Sequence, residues 1–353
     1  MAIDPDFWTG RRVLVTGHTG FKGAWLSLWL QALGADVSGL APGPPTRPSL
    51  YEVARVGTRM QEWAADVRDA DALLEGLRRS APEIVLHLAA QPMVRRSLRD
   101  PPMTYEVNVM GTVNVLEAVR RAGEQVRAVV VVTSDKCYEN PGVESKRFVE
   151  SDPLGGDDPY SSSKACAELV TSAYRRSFFA EGDSPRVASA RAGNVIGGGD
   201  WGEDRLLPDA VRAVESARPL RVRSPLAVRP WQHVLNPVSG YLQLAEALWQ
   251  GEAARAWNFG PPEQDVRTVS WIVERLGVLW DGALSWVLDA GPNPPEAGHL
   301  ALDSGDAEQL LGWRGAWRLE DALERLVEWH RAHRSGEDMR RVTLEQIALY
   351  GAS

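Results

Sequence analysis

Residues 11–23 read RRVLVTGHTGFKG, and this stretch decides the fold class. Its apolar and β-branched residues predict a buried strand over Arg11–Thr16. Glycines at positions 17, 20 and 23 follow at once, and the next apolar-periodic segment predicts a helix over Phe21–Leu33. The predicted unit is therefore a strand, a tight glycine-rich turn and a helix.

The turn has the GxxGxxG spacing of a dinucleotide-binding site. Gly17 permits the tight turn, Gly20 lets a pyrophosphate approach the backbone, and Gly23 lets the helix pack close to the sheet. The first helical turn offers free N–H groups and the positive end of the helix dipole to the phosphates. The alternative is that the glycines serve packing alone. The residues assigned here to cofactor binding are Gly17, Thr19, Gly20, Phe21, Lys22 and Gly23.

The rest of the first half alternates short β-branched runs with longer amphipathic segments, which is typical of a parallel sheet covered by helices. The run Val129–Val132 suits a central strand buried on both faces. Further predicted strands are Asp36–Leu40, Gln61–Ala65, Ile84–Ala89, Ala128–Ser134 and Arg186–Arg191. Further predicted helices are Ala70–Ser80, Met103–Ala122 and Tyr160–Phe179. We predict an α/β, Rossmann-like, doubly wound parallel sheet whose ligand lies beyond the carboxyl ends of its strands.

After Arg191 the sequence changes, and a glycine-rich loop at 197–199 leads into segments that carry many Trp and Pro residues. The helices predicted in this half are Pro208–Ala217, Pro237–Trp249 and Leu319–Ala332. We predict two domains. Residues 1–191 form an NAD-binding domain that carries the catalytic residues. Residues 192–353 form a smaller, mainly substrate-binding domain, with some late segments packing back on the first.

Composition excludes several classes of protein. The chain has 353 residues, 44% hydrophobic and 24% charged, as is ordinary for a globular enzyme. It shows neither the roughly 20 uninterrupted apolar residues of a membrane helix nor the regions of a signal peptide, so we expect a cytoplasmic location and no membrane partner. The net charge of -8 argues against nucleic acid as a partner. Cys137 and Cys166 fit a reducing compartment and form no CxxC spacing, so no metal site is expected.

Three further segments fit the same cofactor. An aspartate at 66 can accept a hydrogen bond from an adenine amino group, whereas Asp69 fits a helix N-cap. Small residues at the end of the fourth strand leave room for a ligand, and an asparagine on the next helix can fix the backbone near the site. The residues assigned by these segments are Asp66, Val67, Leu88, Ala89, Ala90 and Asn108.

The end of the second strand leaves the choice between NAD and NADP open. NAD sites usually carry an acidic residue there, which accepts from the ribose 2′-hydroxyl. This strand ends in Ser38-Gly39-Leu40-Ala41, without a carboxylate, and Arg47 is the nearby cation that would favour a 2′-phosphate.

The predicted chemical centre contains a Tyr-x-x-x-Lys pair, Tyr160 and Lys164, which share a helical face and are also assigned to cofactor binding. Lys164 and a positive nicotinamide are expected to lower the pKa of the phenol from about 10. The phenolate would remove a hydroxyl proton while hydride leaves the same carbon. Ser134, at the end of the fifth strand, would hydrogen-bond the reacting oxygen. A surface Tyr-Lys pair is the alternative.

Asp135 and Lys136 follow Ser134 directly, at the point where the strand meets the crevice. Hydride transfer alone needs no further acid or base, so this pair indicates additional proton chemistry. The alternative is a solvated ion pair in a loop.

At these residues the chain resembles the extended short-chain dehydrogenase/reductases, and among them the CDP-glucose 4,6-dehydratase family. The resemblance begins with GHTGFKG at 17–23, SDKCYEN at 134–140 and DPYSSSK at 158–164. RAGNVIGGGDW at 191–201, VRPWQHV at 228–234, EAGHL at 296–300 and LGW at 311–313 extend it over nearly the whole chain. Related dTDP-glucose dehydratases carry Asp-Glu where this chain has Asp135-Lys136, and simple epimerases tend to carry small uncharged residues there.

The resemblance implies NAD-dependent conversion of CDP-glucose to CDP-4-keto-6-deoxyglucose. Tyr160 would take the proton of the sugar 4-hydroxyl as the C4 hydride moves to NAD. Lys136 is then the candidate base for the C5 proton, and Asp135 is the candidate acid for the departing 6-hydroxyl, before the hydride returns to C6. A neutral Lys136 and a protonated Asp135 both require burial.

The second half supplies most of the candidate substrate contacts. Arg229, and Arg205 after it, are candidates for the pyrophosphate because a guanidinium binds phosphate in a bidentate fashion. Asn194 is expected on a phosphate or the sugar, Trp231 is either a stacking platform or a core residue, and His233 is either a substrate contact or a structural histidine. The residues assigned to substrate binding are Gln91, Asn194, Arg205, Arg229, Trp231 and His233.

Two rival hypotheses stay open at this point. One is an epimerase or reductase that acts on another nucleotide sugar. The other is a catalytically silent NAD-binding protein, which the presence of Ser134, Tyr160 and Lys164 disfavours. The resemblance also implies a homodimer, because extended members of the superfamily commonly pair through the two helices that flank the active site, here Met103–Ala122 and Tyr160–Phe179.

Overall fold

In the described part of the chain, the strands of the computed structural model build one large parallel sheet and three small two-stranded ones. The structure describes residues 3–122, 125–143, 146–180, 182, 184–291 and 299–353. The described strands are β1 Arg12–Thr16, β2 Asp36–Ala41, β3 Gln61–Ala64, β4 Ile84–His87, β5 Ala128–Val132, β6 Arg186–Ala192, β7 Val195–Ile196, β8 Leu220–Val222, β9 Val228–Pro230, β10 Gln232–His233, β11 Ala256–Phe259, β12 Val266–Thr268 and β13 Trp286–Leu288.

The described helices are α1 Pro5–Trp8, α2 Phe21–Ala32, α3 Leu50–Val53, α4 Ala70–Ser80, α5 Val94–Arg99, α6 Pro101–Tyr105, α7 Gly111–Ala122, α8 Pro159–Ser177, α9 Leu206–Ser216, α10 Leu235–Trp249, α11 Val269–Leu279, α12 Gly305–Leu310, α13 Leu319–Arg334 and α14 Met339–Gly351. Short 3-10 helices cover Val56–Arg59, Asp135–Cys137 and Glu263–Asp265. Within these described ranges, no helix combines the length and the apolar content that crossing a membrane requires.

Among the described residues, the large sheet has seven strands in the order β11-β6-β5-β4-β1-β2-β3, and each pair of adjacent strands is parallel. The chain moves outward from β1 through β2 to β3 and then crosses to β4 on the other side. This reversal puts the carboxyl ends of β1 and β4 at a topological switch point, where open α/β sheets bind their ligands. The predicted doubly wound parallel sheet is confirmed.

The sheet is covered on both faces because alternate residues of its central strands enter two different cores. One core lies against α2 and α10 and contains Val13, Val15, Leu86 and Val130. The other lies against α4 and α7 and contains Leu14, Val85, Val129 and Val131. The valine run of β5 is therefore buried on both sides, as its sequence indicates.

The segment predicted as one helix over Met103–Ala122 is not regular. It consists of α6, a π-helical segment at Glu106–Met110, and α7. The π segment carries Asn108, whose side chain bonds to the loop after β4 and to α8. We attribute the widened turn to these bonds, because a helix with one extra residue in a turn can redirect a side chain toward a neighbouring element.

The second half of the chain contributes to the large sheet. β11 pairs with β6 from Ala256↔Ser189 to Phe259↔Ala192, and the sequence analysis did not predict this strand. α10 packs on β5 and β6, and α14 packs on α2. The division into domains at residue 191 stays a prediction.

Candidate active site

The glycine-rich turn between β1 and α2 fits a dinucleotide phosphate group. Gly17 has φ +77°, and a Cβ atom there would lie 2.7 Å from the Ala89 nitrogen. A Cβ atom at Gly23 would clash with the Gly17 carbonyl oxygen. In the described part of the chain, α2 is capped by Gly20 without a side-chain hydrogen bond, so its first-turn N–H groups stay available for an anion.

The other side chains of this turn point in different directions. Thr19 Oγ1 donates to the Gly43 carbonyl oxygen at 2.8 Å and so holds the proline-rich loop after β2. Phe21 is half-buried against the main core. The Lys22 side chain points away from the glycine-rich turn, and its Nζ donates to the Tyr241 hydroxyl at 3.2 Å.

The segment after β3 shows how Asp66 is engaged. Its carboxylate accepts from the backbone N and from Nη2 of Arg68, each at 2.9 Å, and these hydrogen bonds lower the pKa of Asp66. An adenine amino group would therefore share this carboxylate with Arg68. Val67 is buried against Gly111, while Asp69 is the N-cap of α4 and accepts from the Ala72 N–H at 3.0 Å.

The end of β4 is tied to the helices beside it through Asn108 and Gln91. Leu88, Ala89 and Ala90 are half-buried, and the backbone of Ala89 lies against Gly17. Asn108 Oδ1 accepts from the Gln91 N–H at 2.8 Å, and its Nδ2 donates to the Gln91 carbonyl and to Ser163 Oγ.

The Gln91 amide is hydrogen-bonded to the protein at both ends. Its Nε2 donates to the Met93 carbonyl and to Thr104 Oγ1, each at 3.0 Å, and its Oε1 accepts from the Met93 N–H at 2.7 Å. Both ends of the amide are thus held by the scaffold, and the assignment of Gln91 to substrate binding stays a prediction.

Ser134, Tyr160 and Lys164 lie together at the carboxyl end of β5. All three are buried, and the Ser134 hydroxyl hydrogen-bonds the phenol of Tyr160. Lys164 Nζ donates to the Val132 carbonyl at 3.4 Å, which holds the lysine on the strand that ends at the site. Asp158 caps α8, accepting from the Ser161 N–H at 3.0 Å, and so fixes the helical turn that carries Tyr160.

In the protein without a cofactor, the pKa of Tyr160 is raised, whereas the sequence analysis expected it to be lowered. Burial raises the pKa of this phenol to about 12, although the hydrogen bond with Ser134 and the charge of Arg205 act in the opposite direction. Burial also lowers the pKa of Lys164 to about 8. A phenolate at neutral pH therefore requires a further positive charge, which the oxidised nicotinamide of a bound cofactor carries.

Asp135 has the environment of a protonated acid. It is 2% exposed, and burial raises the pKa of its carboxyl despite the nearby charge of Lys136. Oδ1 accepts from Ser134 Oγ at 3.0 Å, while Oδ2 is buried without a hydrogen-bond partner among the described residues. An oxygen in this state is better occupied by a proton than by a charge. Lys136 is only half-buried, so the burial expected at both residues is found at Asp135 alone.

The two arginines proposed for the pyrophosphate both lie near the catalytic group. Arg229 is 8% exposed and interacts electrostatically with Asp135. Arg205 is half-buried, bonds Asp200 Oδ2 at 2.9 Å, and interacts electrostatically with Tyr160 and Lys22. Asn194 is half-buried between β6 and β7, two residues after the end of the strand that precedes it.

A cavity of about 950 Å³ opens beside the strand of Arg229. It is lined by Gly142, Ser224, Leu226, Ala227, Val228, Glu263, Gln264, Val266, Arg267 and His299. His299 belongs to the EAGHL motif at 296–300, of which residues 296–298 lie outside the described residues. The cavity has the size of a nucleotide site and continues from the strand that carries the candidate phosphate ligand.

Trp231 and His233 pack inside the protein. Trp231 is 4% exposed and donates from Nε1 to the Arg267 carbonyl at 3.1 Å. His233 is completely buried between Trp25 and Trp317, and its Nδ1 accepts from the Leu235 N–H at 3.2 Å. For both residues the structure favours the core alternative over a substrate contact.

Sequence reasoning missed two residues that support this centre. Glu168 lies one helical turn after Lys164, and its carboxylate bonds Thr133, Ser189 and Arg191 inside the protein. A charged residue on the inner face of the helix that carries Tyr160 was the available signal. Tyr241 lies in the second half on α10, and nothing in the sequence around it indicated a contact with the glycine-rich turn.

A glycine-rich turn after β1 and a Ser-Tyr-Lys group after β5 define the class of enzymes that exchange hydride with a bound dinucleotide. Within this class, residues 13–260 match the model of the NAD dependent epimerase/dehydratase family. The chain belongs to this family.

The chain is 49% identical to the CDP-glucose 4,6-dehydratase of Salmonella typhimurium, over 99% of this chain and 98% of that protein. Among solved structures, it resembles the dTDP-glucose 4,6-dehydratase DesIV of Streptomyces venezuelae with NAD bound, at 27% identity and a TM-score of 0.76, covering 93% of this chain and 99% of that one. It also resembles the UDP-glucose 4-epimerase of Thermus thermophilus in complex with NAD, at 26% identity and a TM-score of 0.78, covering 91% and 99%.

Family membership answers the question that the second strand left open, and the cofactor is NAD. β2 ends at Ala41 without a carboxylate. Arg47, the cation that would favour a 2′-phosphate, is exposed and lies 3.6 Å from Glu52. Its charge is therefore already matched by a neighbouring residue.

Proposed function

We propose that the protein dehydrates CDP-glucose to CDP-4-keto-6-deoxyglucose. The observation that carries the proposal is the buried Asp135, hydrogen-bonded to Ser134 beside the phenol of Tyr160, because oxidation alone requires no acid there. Identity of 49% over nearly the full length of a CDP-glucose 4,6-dehydratase supports the same chemistry and the same nucleotide.

In the first stage Tyr160 acts as the base for the sugar 4-hydroxyl. NAD, held at the glycine-rich turn of Gly17, Gly20 and Gly23, would supply the acceptor for the C4 hydride and the donor for its return to C6. The Ser134 hydroxyl lies between Asp135 and the phenol, where it would turn to hydrogen-bond the reacting oxygen once the sugar is bound. Lys164, one helical turn after Tyr160 on α8 and held on the carbonyl of Val132, brings a positive charge to the site. The 4-hydroxyl loses one proton to Tyr160 and C4 becomes a ketone.

In the second stage the ketone makes the C5 proton acidic, and a base removes it while the 6-hydroxyl leaves. Asp135 donates the proton that converts the hydroxyl into water. Lys136, which follows Asp135 in the chain at the mouth of the site, stays the candidate base. The C5–C6 double bond that forms then receives hydride at C6 and a solvent proton at C5.

The diphosphate is assigned to Arg229 and Arg205, and the nucleoside to the cavity beside β9. Arg229 is buried next to Asp135, so a phosphate bound there brings the sugar to the catalytic carboxyl. Arg267 and Glu263 line the cavity and offer a donor and an acceptor to the base.

The test is incubation of the purified protein with CDP-glucose and NAD, followed by mass analysis of the nucleotide sugar. Loss of one water, deuterium at C5 in deuterated solvent and no accumulation of NADH are expected. Parallel reactions with dTDP-, UDP- and GDP-glucose test the nucleotide. Preference for one of these over CDP-glucose would remove the CDP assignment and leave the reaction type in place.

Two variants separate oxidation from elimination. Asp135→Asn keeps the size of the side chain but cannot protonate the 6-hydroxyl, so kcat should fall by about 10²–10⁴ while reduced cofactor accumulates at 340 nm. The matched control is Glu139→Gln, which makes the same carboxylate-to-amide change at an exposed residue four positions away. If Asp135→Asn turns over at the wild-type rate, Asp135 is not the acid.

We also propose a homodimer and a cytoplasmic location. Tyr105 and Met110, in the segment before α7, and Leu169 on α8 are exposed apolar residues on the helices that flank the site. Sedimentation equilibrium should give twice the mass of one chain. A monomer at working concentration would refute the pairing.

A further inference from the structure

Lys22 reaches from the glycine-rich turn into the interior of the crevice. Its Nζ lies 3.2 Å from the Tyr241 hydroxyl, and 5.5 Å from the centroid of the same ring. Tyr241 is completely buried on α10 and packs edge-on against Phe259 at 5.8 Å. The phenol that holds the lysine is therefore a fixed part of the core.

The charges around Lys22 belong to the catalytic centre. Lys164 on α8 and Arg205 before α9 repel its ammonium, and Asp135 attracts it. The phenol of Tyr241 in turn interacts electrostatically with Asp135 and Tyr160. Lys22 thus occupies the same crevice as the group that acts on the sugar 4-hydroxyl, although its backbone belongs to the phosphate-binding turn.

This double position fixes what Lys22 can contact in the cofactor. The phosphates lie at the turn, whereas the nicotinamide must lie within hydride reach of the carbon whose hydroxyl Tyr160 serves. The backbone of Lys22 is at the phosphate-binding turn and its ammonium is near the site of the nicotinamide. The side chain therefore lies along the nicotinamide half of the cofactor.

We propose that Lys22, held by Tyr241, lies against the nicotinamide half of NAD and makes the protein bind the reduced cofactor more tightly than the oxidised one. The proposal rests on the role given to Tyr160 in the proposed function. The oxidised ring is a cation and the reduced ring is neutral, so a nearby ammonium repels only the oxidised form. The consequence for dehydration is that the hydride stays bound during the loss of water.

The energetic scale is set by two unit charges a few ångströms apart in a partly desolvated crevice. With an effective dielectric constant of about 20, such a pair changes a binding constant by at least roughly tenfold. Burial lowers the pKa of Lys22 to about 7, and Lys164 adds to this effect. The preference is therefore greatest at slightly acidic pH, where the ammonium is charged.

The test measures cofactor binding without any sugar. Dissociation constants of NAD, NADH and ADP-ribose are determined by fluorescence for the wild type and for Lys22→Met at pH 6.5. The ratio of the NAD constant to the NADH constant should fall by roughly tenfold in the variant. Binding of ADP-ribose, which lacks the nicotinamide, should be unchanged.

Three further variants make the result specific. Lys146→Met is the matched control, because that lysine pairs with Asp152 at 2.7 Å outside the crevice, and its ratio should equal that of the wild type. Lys22→Arg keeps the charge and should keep most of the preference. Tyr241→Phe removes the hydroxyl that positions the ammonium and should give a smaller decrease in the ratio than Lys22→Met.

Two results would overturn the proposal. An unchanged ratio in Lys22→Met would show that the ammonium does not sense the charge of the ring. Equal weakening of NAD, NADH and ADP-ribose would make Lys22 a phosphate ligand instead. Failure of the protein to dehydrate CDP-glucose would leave these binding ratios unaffected, so the two proposals fail separately.

Discussion

Replacing Glu168 with glutamine removes the negative charge from a buried ion pair. Glu168 Oε2 lies 2.7 Å from Arg191 Nη2, and the two side chains are 3% and 4% exposed. The same carboxylate accepts hydrogen bonds from Thr133 and Ser189. Glutamine has nearly the same shape, but it leaves the Arg191 charge buried without compensation, which costs about 3–5 kcal/mol of unfolding free energy.

The assay is urea denaturation of the wild type, Glu168→Gln and a matched control, Glu117→Gln. Glu117 bonds Arg120 at 2.7 and 2.8 Å, but these side chains are 33% and 44% exposed, so the control should lose at most about 1 kcal/mol. Equal losses in the two variants would refute the reasoning, because burial would then add nothing to the pair.

A second readout of Glu168→Gln concerns Lys164. Burial lowers the pKa of Lys164 to about 8, and Glu168 opposes this decrease. Without the carboxylate the pKa falls further, so the lysine loses its proton at lower pH. The alkaline decline of kcat should therefore begin at lower pH in the variant, whereas a purely structural role would leave the profile in place.

Three other predictions test the turn, the reacting phenol and the pH dependence of stability. Gly23→Ala places a methyl group against the Gly17 carbonyl and should weaken NAD binding by roughly tenfold or more; calorimetry showing wild-type affinity would contradict the role of the turn. Tyr160→Phe should lower kcat by about 10²–10⁴ with little change in NAD affinity, as stopped-flow and titration can show. Burial raises the pKa of Glu246, which accepts from Trp8 Nε1 at 2.6 Å, to about 7, above its ordinary value of 4.5. Ionising this carboxyl therefore costs stability increasingly from pH 4.5 to 7, so Glu246→Gln should gain Tm relative to the wild type between pH 5 and 8; a constant difference would reject the pKa shift.

The parts of the fold that were predictable depend on local patterns. The glycine spacing after β1 and the valine run of β5 each determine their own conformation, so their elements appear where the sequence placed them. The i, i+4 spacing of Tyr160 and Lys164 likewise puts both on one face of α8 wherever that helix packs.

The parts that were missed depend on residues far apart in the chain. The contact between Lys22 and Tyr241 joins positions 219 residues apart. His233 is buried because Trp25 and Trp317, both distant from it in the chain, pack on either side of its ring. A side chain's own sequence neighbourhood does not show which of these surroundings it will meet.

The late position of β11 in the chain bears on how the protein is made. During synthesis β6 leaves the ribosome as an open sheet edge with unpaired N–H and C=O groups, and residues 256–259 close it only much later. A fragment that ends at residue 191 would keep that edge exposed and should aggregate. Expression and purification of the nucleotide-binding half would thus require the chain to continue at least through β11.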